Sequence, residues 1–202
     1  PSPVTVHHAR VTGLVLAGGL GRRMGGVDKG LVEFDGKPMV AHVLARLAPQ
    51  VDALLINANR NAERYGAFGY PVVPDRIEGY AGPLAGLHAG LAAAGTPLLV
   101  TVPCDSPFLP LDLVARLRAA LEGAQAQLAV ARTGDRAQPV FSLMRRDVLD
   151  DLARFLAGGG RKVDAWHSRL AVVEVPFDDE AEAFANINTR EELSGFRGVV
   201  SK

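Results

Sequence analysis

From Val11 to Ala17 the chain runs VTGLVLA, short, apolar and β-branched, and stops at Gly18-Gly19. A run of this kind bounded by glycine predicts a strand buried on both faces. Such a strand needs helices on each side of its sheet, and the following residues supply them. Lys37 to Ala48 places Val40, Val43, Leu44 and Leu47 at i, i+3, i+4 and i+7, the spacing of an amphipathic helix. Ala53–Asn57 predicts a second buried strand, Asn59–Phe68 a helix, and Tyr70–Val73 a third strand. After a Gly- and Pro-punctuated loop from Pro74 to Pro83, Leu84, Leu87 and Leu91 mark a helix face. Pro97–Val102 predicts a fourth strand, ending at Pro103-Cys104-Asp105. Leu111, Val114, Leu117 and Leu121 mark another helix. Gln127–Ala131 and Gln138–Leu143 predict strands, Val148 to Leu156 a helical stripe closed by Gly158-Gly159-Gly160, and Leu170–Val175 a late strand. Thr189, with Glu192 three residues on, has capping-box spacing and opens a terminal helix. Strand–helix alternation over the first ~120 residues implies an α/β fold, a mostly parallel sheet with helices on both faces. Ligands of such sheets sit at the carboxyl ends of the strands. That rule singles out the loop after Ala17, the segment after Asn57 and the loop after Val102.

The 202 residues fit a single domain, expected over 11–202 behind a flexible tail over 1–10, and their 48% hydrophobic content is enough for a full core. Lys plus Arg equals Asp plus Glu at 22 each, so the basic excess of generic nucleic-acid or membrane-surface binders is missing. Cys104 is the one cysteine, which excludes a disulfide framework within the chain and favours a reducing compartment. No apolar run reaches the ~18–20 residues of a membrane span, and Pro1–Arg10 lacks an apolar signal core. A cytoplasmic protein without nucleic-acid or membrane partners is expected.

Only Lys29, Lys37, Lys162 and Lys202 are lysines, so Lys29 at the end of a glycine-rich loop stands out. That loop, Leu16-Ala17-Gly18-Gly19-Leu20-Gly21-Arg22-Arg23-Met24-Gly25-Gly26-Val27-Asp28-Lys29, holds five glycines and three cations. Glycines let the backbone approach a ligand closely, and successive N–H groups in such a loop cradle phosphate oxygens. Arg22, Arg23 and Lys29 add positive charge where a triphosphate would lie. The alternative is a plain Gly-rich turn, which three cations behind a first buried strand disfavour. It is not a P-loop, having no Gly-x4-Gly-Lys-Ser/Thr. It is not a dinucleotide fingerprint either, because Met24 stands where Gly or Ala is needed. Asp105, at the end of the fourth strand, can hold Mg²⁺, which prefers oxygen ligands shared with substrate phosphates; alone it reads equally as a turn Asp. Cys104 has no evident base partner and reads as a small buried residue. Asn57 and Asp75 lie on the expected ligand edge and can meet a base or ribose, or serve as turn residues. Asn186 and Asn188 alternate on a short stretch and point the same way, toward a ligand or into a cap. Arg136-Ala137-Gln138-Pro139 and Arg161-Lys162 are polar or basic spots available to a second anionic substrate or to solvent. The histidines (7, 8, 42, 88 and 167) lack metal-ligand spacing, and Trp166 reads as packing.

Leu16-Ala17-Gly18-Gly19 followed by Arg23-Met24-Gly25-Gly26-Val27-Asp28-Lys29-Gly30-Leu31 resembles the signature loop of the molybdenum cofactor guanylyltransferases. So do Gly36-Lys37-Pro38, Asn57-Ala58-Asn59-Arg60, Gly82-Pro83-Leu84-Ala85-Gly86, Pro103-Cys104-Asp105 and Asn186-Ile187-Asn188-Thr189, in order from Val11 to Leu193. The Met-Gly-Gly-x-Asp-Lys-Gly stretch is the specific part; the shorter motifs are shared with wider nucleotidyltransferases. The resemblance implies a Rossmann-like three-layer sandwich that binds GTP and Mg²⁺ and transfers GMP to the terminal phosphate of molybdopterin or molybdenum-molybdopterin. By that resemblance Leu16, Ala17, Gly18 and Gly19 cradle the nucleotide, with Lys29 on its phosphates. Asn57 and Asp75 meet the nucleoside, and Asp105 binds the metal. Gly82, Asn186 and Asn188 lie toward molybdopterin, and Lys29, Arg23 and Asp105 form the catalytic set. Gln138 stands where relatives often carry His. Molybdoenzymes or their chaperones are the implied recipients. Cytidylylation, another small nucleotidyltransferase activity, and a non-catalytic GTP-binding adaptor are the competing functions.

Overall fold

The computed structural model of the chain describes residues 8–18, 26–79 and 82–185. Strand β1, Val11–Leu16, lies at the heart of the molecule, its first five residues buried. Its side chains alternate between two cores: Val11 and Val15 enter one, Leu14 the other, as the two-residue strand period requires. Each fully buried leucine among them contributes roughly 2 kcal/mol of transfer free energy.

A two-stranded hairpin follows, β2 (Glu33–Phe34) with β3 (Lys37–Pro38). Its turn residues Asp35 and Gly36 both have positive φ. The helix expected from Lys37 therefore begins later, as α1, Met39–Leu47, because Pro38 ends β3 and cannot donate within a helix. Strand β4, Ala53–Asn57, matches the expected strand. Helix α2 covers only Ala62–Gly66, since Asn61 before it adopts left-handed backbone at φ 56°. Strand β5 is the two-residue Val72–Val73. Helix α3, Pro83–Ala93, starts with proline in its first turn, where a missing N–H costs nothing. Strand β6 spans Leu98–Pro103 and helix α4 Leu113–Gly123. Leu111 falls outside α4 and is exposed, because Asp112 occupies the N-cap. Strands β7 (Leu128–Thr133) and β8 (Arg136–Arg145) form a hairpin. Helices α5 (Leu149–Ala157) and α6 (Val163–His167) and strand β9 (Val172–Pro176) follow. Helix α6 was not expected from the sequence. It buries Trp166 completely, with the indole N–H donating to Asp151 at 3.1 Å. The terminal helix expected at Thr189 lies outside the described residues.

The main sheet has seven strands in the order β5-β4-β1-β6-β8-β7-β9. Pairing is parallel throughout except along both edges of β8, which runs against its neighbours. Core residues of α1 and α4 pack on one face, those of α3 and α5 on the other. This is the expected α/β three-layer sandwich. From β1 the chain moves outward to β4 on one side, then returns to place β6 on the other. The crevice between the carboxyl ends of β1 and β6 is thus the topological switch point, the usual ligand position in such sheets. Among the described residues no helix is long and apolar enough to cross a membrane.

Candidate functional site

Strands β1, β4 and β6 all end at one edge, and Leu16, Asn57, Asp75 and Asp105 gather there. Pairing of β1 with β6 sets Leu16 opposite Pro103, and the Cys104 N–H donates to the Leu16 carbonyl at 3.1 Å. Pairing of β1 with β4 sets Leu16 opposite Asn57, and the Ala17 N–H donates to the Asn57 carbonyl at 2.8 Å. A pocket of about 170 Å³ opens here, lined by Leu16, Gly18, Asn57, Asp75, Gly82, Pro83, Pro103 and Val140.

Asn57 is 2% exposed and organises one wall. Its amide nitrogen donates to the Val73 carbonyl at 3.1 Å and to Asp75 Oδ1 at 2.9 Å. The Asp75 backbone N–H donates in turn to Asn59 Oδ1 at 2.8 Å. Asn57 is therefore the scaffold that aims Asp75 at the pocket. Helix α3 can press on Asn57 because residue 86 is glycine: a Cβ there would lie 2.3 Å from Asn57 Oδ1 and 2.9 Å from Leu16 Cδ2.

Lys29 leads the short 3-10 turn Lys29–Leu31, and its Nζ lies 3.6 Å from Asp105 Oδ2. Lys29 and the metal-binding candidate Asp105 thus sit side by side at the switch point. Asp105 is 6% exposed, and Ser106 beside it is fully buried. Burial, reinforced by the Asp105 and Asp28 carboxylates, pushes the Cys104 thiol far above its usual range. It stays protonated and is no nucleophile, as its lack of a base partner suggests. Among the described residues no three His, Cys, Asp or Glu side chains cluster as a metal cage. A single buried carboxylate beside a lysine suits a hard divalent ion that takes its other ligands from substrate and water.

Gly19, Arg23, Asn186 and Asn188 lie outside the described residues, as does Arg22. Gly82 lines the pocket immediately before α3. Gln138 sits in the β8 hairpin and donates to Thr133 Oγ1 at 2.9 Å. The Arg161 guanidinium is engaged with carbonyls at the end of α5, Leu156 at 2.9 Å and Gly160 at 2.6 Å. Sequence reasoning missed Pro83, Pro103 and Val140 as lining residues. It also missed Asn61 and Tyr65, which hold Asp28 beside Lys29. Pro83 and Pro103 lay within quoted motifs without a role assigned; for the others the signal was proximity in sequence to motif residues.

An open, mostly parallel sheet with a charged cleft at its switch point defines the nucleotide-binding α/β class, and comparison with known proteins narrows it. Residues 13–171 match the model of the MobA-like NTP transferase domain, and the chain belongs to that family. It is accordingly a nucleotidyltransferase, of a kind that typically uses a divalent metal. The molybdenum cofactor guanylyltransferase of Cupriavidus taiwanensis is 55% identical over 188 residues, covering 91% of this chain and 94% of the relative. That of an Acidovorax species is 51% identical over 202 residues, covering 94% and 96%. The crystal structure of molybdopterin-guanine dinucleotide biosynthesis protein A from Archaeoglobus fulgidus superposes with a TM-score of 0.79 at 28% identity, covering 94% of this chain and 98% of that one.

Proposed function

We propose that the chain transfers GMP from GTP to the terminal phosphate of molybdopterin, or molybdenum-molybdopterin, releasing pyrophosphate. The observation that carries this is the 3.6 Å approach of Lys29 to Asp105 at the switch point, beside the Asn57–Asp75 pocket. Relatives named for guanylyl transfer over nine-tenths of the chain support the choice of nucleotide.

The acceptor phosphate oxygen is ionised at neutral pH, so its attack on the α-phosphorus needs no protein base. A bond forms between that oxygen and the α-phosphorus, and the bond from the α-phosphorus to the β-phosphate oxygen breaks. Pyrophosphate leaves with its negative charge. The protein's tasks are alignment and neutralisation of charge. Leu16, Ala17, Gly18 and Gly19 hold the nucleotide, and Lys29 with Arg23 meets its phosphates. Asp105 holds Mg²⁺, which when bound neutralises phosphate oxygens and stabilises the leaving group. Asp75, fixed by Asn57, accepts the N–H donors on the guanine edge. Cytosine offers that carboxylate a single amino group with the N3 acceptor beside it. By the family resemblance Gly82, Asn186 and Asn188 would serve the molybdopterin end, and the product would pass to acceptor enzymes or their chaperones.

The test is competition among GTP, CTP and UTP with Mg²⁺ and molybdopterin, reading pyrophosphate release and the dinucleotide formed. Preference for GTP is expected. Preference for CTP would make the chain a cytidylyltransferase. GTP binding without pyrophosphate would make it an adaptor.

A further inference from the structure

Lys29 must hold one position while a highly charged substrate arrives, although it follows a glycine-rich loop. Three contacts fix its neighbourhood to the segment after β4. The Tyr65 hydroxyl donates to Asp28 Oδ1. The Asn61 side-chain amide donates to Asp28 Oδ2 at 3.0 Å. Arg60 Nη1 donates to the Gly26 carbonyl at 3.3 Å. Both oxygens of the carboxylate directly preceding Lys29 are therefore held by residues on or just before α2.

The other side of Lys29 is fixed as well. A Cβ on Gly30 would lie 2.6 Å from the Tyr65 hydroxyl oxygen and 3.2 Å from Cys104 Cβ. Residue 30 thus rests directly on the tyrosine, with the strand end that carries Asp105 against its other flank. The Leu31 N–H donates to the Asp28 carbonyl at 3.1 Å, closing the turn around Lys29. Tyr65 is itself completely buried in the core shared with α1. Burial first, and the nearby Cys104 and Asp28 second, hold its hydroxyl protonated, so it stays a donor. A buried tyrosine anchors a carboxylate better than an exposed side chain would, because it cannot swing away and has no water to replace its partner.

We infer that Tyr65 and Asn61, acting through Asp28, are positioning residues that set the Lys29 ammonium against Asp105 and the triphosphate. They would touch no substrate, and they work only through Lys29. The inference rests on the transfer reaction proposed above.

A double-mutant cycle tests it, measuring kcat/KM for GTP and calorimetric GTP affinity on wild type, Tyr65→Phe, Lys29→Ala and the double variant. Misplacing a catalytic cation costs on the order of 10- to 100-fold. Tyr65→Phe is therefore expected to lose about 10-fold in kcat/KM with the ring and its packing retained. On the Lys29→Ala background the same substitution should lose almost nothing. Asn61→Gly carries the same test without touching the core, since glycine adopts the left-handed backbone at residue 61 and removes only the amide. A milder loss, again abolished in the Lys29→Ala background, is expected. Wild-type kcat/KM in both variants, or losses that multiply with that of Lys29→Ala, would overturn the inference. Failure of the wild-type chain to transfer GMP would instead overturn the transfer reaction. In that case the cycle in GTP affinity still decides the positioning role by the same comparison.

Discussion

Replacing Gly86 with alanine sets two opposed effects against each other. In the interior of a helix alanine is favoured over glycine by about 1 kcal/mol, so at an open position the change would stabilise the chain. In α3 the new methyl would lie 2.3 Å from Asn57 Oδ1, 2.9 Å from its Cγ and 2.9 Å from Leu16 Cδ2. Either the helix lifts or Asn57 turns. Overpacking of this kind costs about 1–3 kcal/mol. Turning Asn57 also disturbs its bonds to Val73 and Asp75, worth about 1 kcal/mol each. Against the roughly 1 kcal/mol gained, the net is a destabilisation of about 2–4 kcal/mol. For a chain of this size that lowers Tm by about 4–16 °C. Activity should suffer more than stability. Asp75 loses its support, and the KM for GTP is expected to rise at least about 10-fold while the far sheet edge is unaffected. Thermal melts and GTP saturation kinetics read the two effects separately. A Gly86→Ala chain that melts higher than wild type and keeps its KM for GTP would refute the role given to Asn57.

Asp105→Ala should lose most transfer activity, on the order of 10²-fold or more, and magnesium titration should not restore it; near-normal turnover would remove Asp105 from the metal site. Asp75→Asn is expected to weaken GTP use about 10-fold and narrow the preference over CTP, as measured by competing kcat/KM values, since one half-buried acceptor becomes a mismatched donor. Burial lowers the proton affinity of His88 and His167, with Arg76 adding to the effect at His88. As pH falls through the ordinary histidine value of about 6.5, the unfolded chain takes up these protons before the folded one, so stability is full above that value and falls below it. Melts from pH 7.5 to 5.5 should show that fall, and a His88→Gln, His167→Gln chain should show a flatter one; an equal slope would refute it.

The central strands were legible because β1, β4 and β6 are buried on both faces and read as compact apolar runs. Their mostly parallel pairing followed from strand–helix alternation, and the ligand edge from the rule that such sheets bind at strand ends. Shorter elements escaped. The Glu33–Phe34 and Lys37–Pro38 strands are too brief to show a two-residue period. Helix α6 is a five-residue element with no periodicity to read, so Trp166 gave no hint that it anchors a helix. At the site, Asp105, Asn57 and Asp75 announced themselves by charge or polarity at or just after strand ends, and Lys29 as a rare lysine closing a glycine-rich loop. The hold of Tyr65 on Asp28 and the fit of Gly86 on Asn57 did not. Each joins residues about thirty to forty apart, and a single sequence carries no signal for such pairs. A buried tyrosine in a short amphipathic segment looks the same whether its hydroxyl meets water or a carboxylate.

Because β8 runs against its neighbours, it is the first half of that strand, at Val140, that reaches the pocket beside Asn57 and Asp75. The hairpin feeding it, Thr133 to Arg136, projects past the edge where the parallel strands finish. Lengthening or reshaping that tip would leave every hydrogen bond among β5, β4, β1 and β6 intact. One rim of the cleft is thus built as a separately adjustable part, whose shape can change while the wall of Asn57 and Asp75 stays as it is.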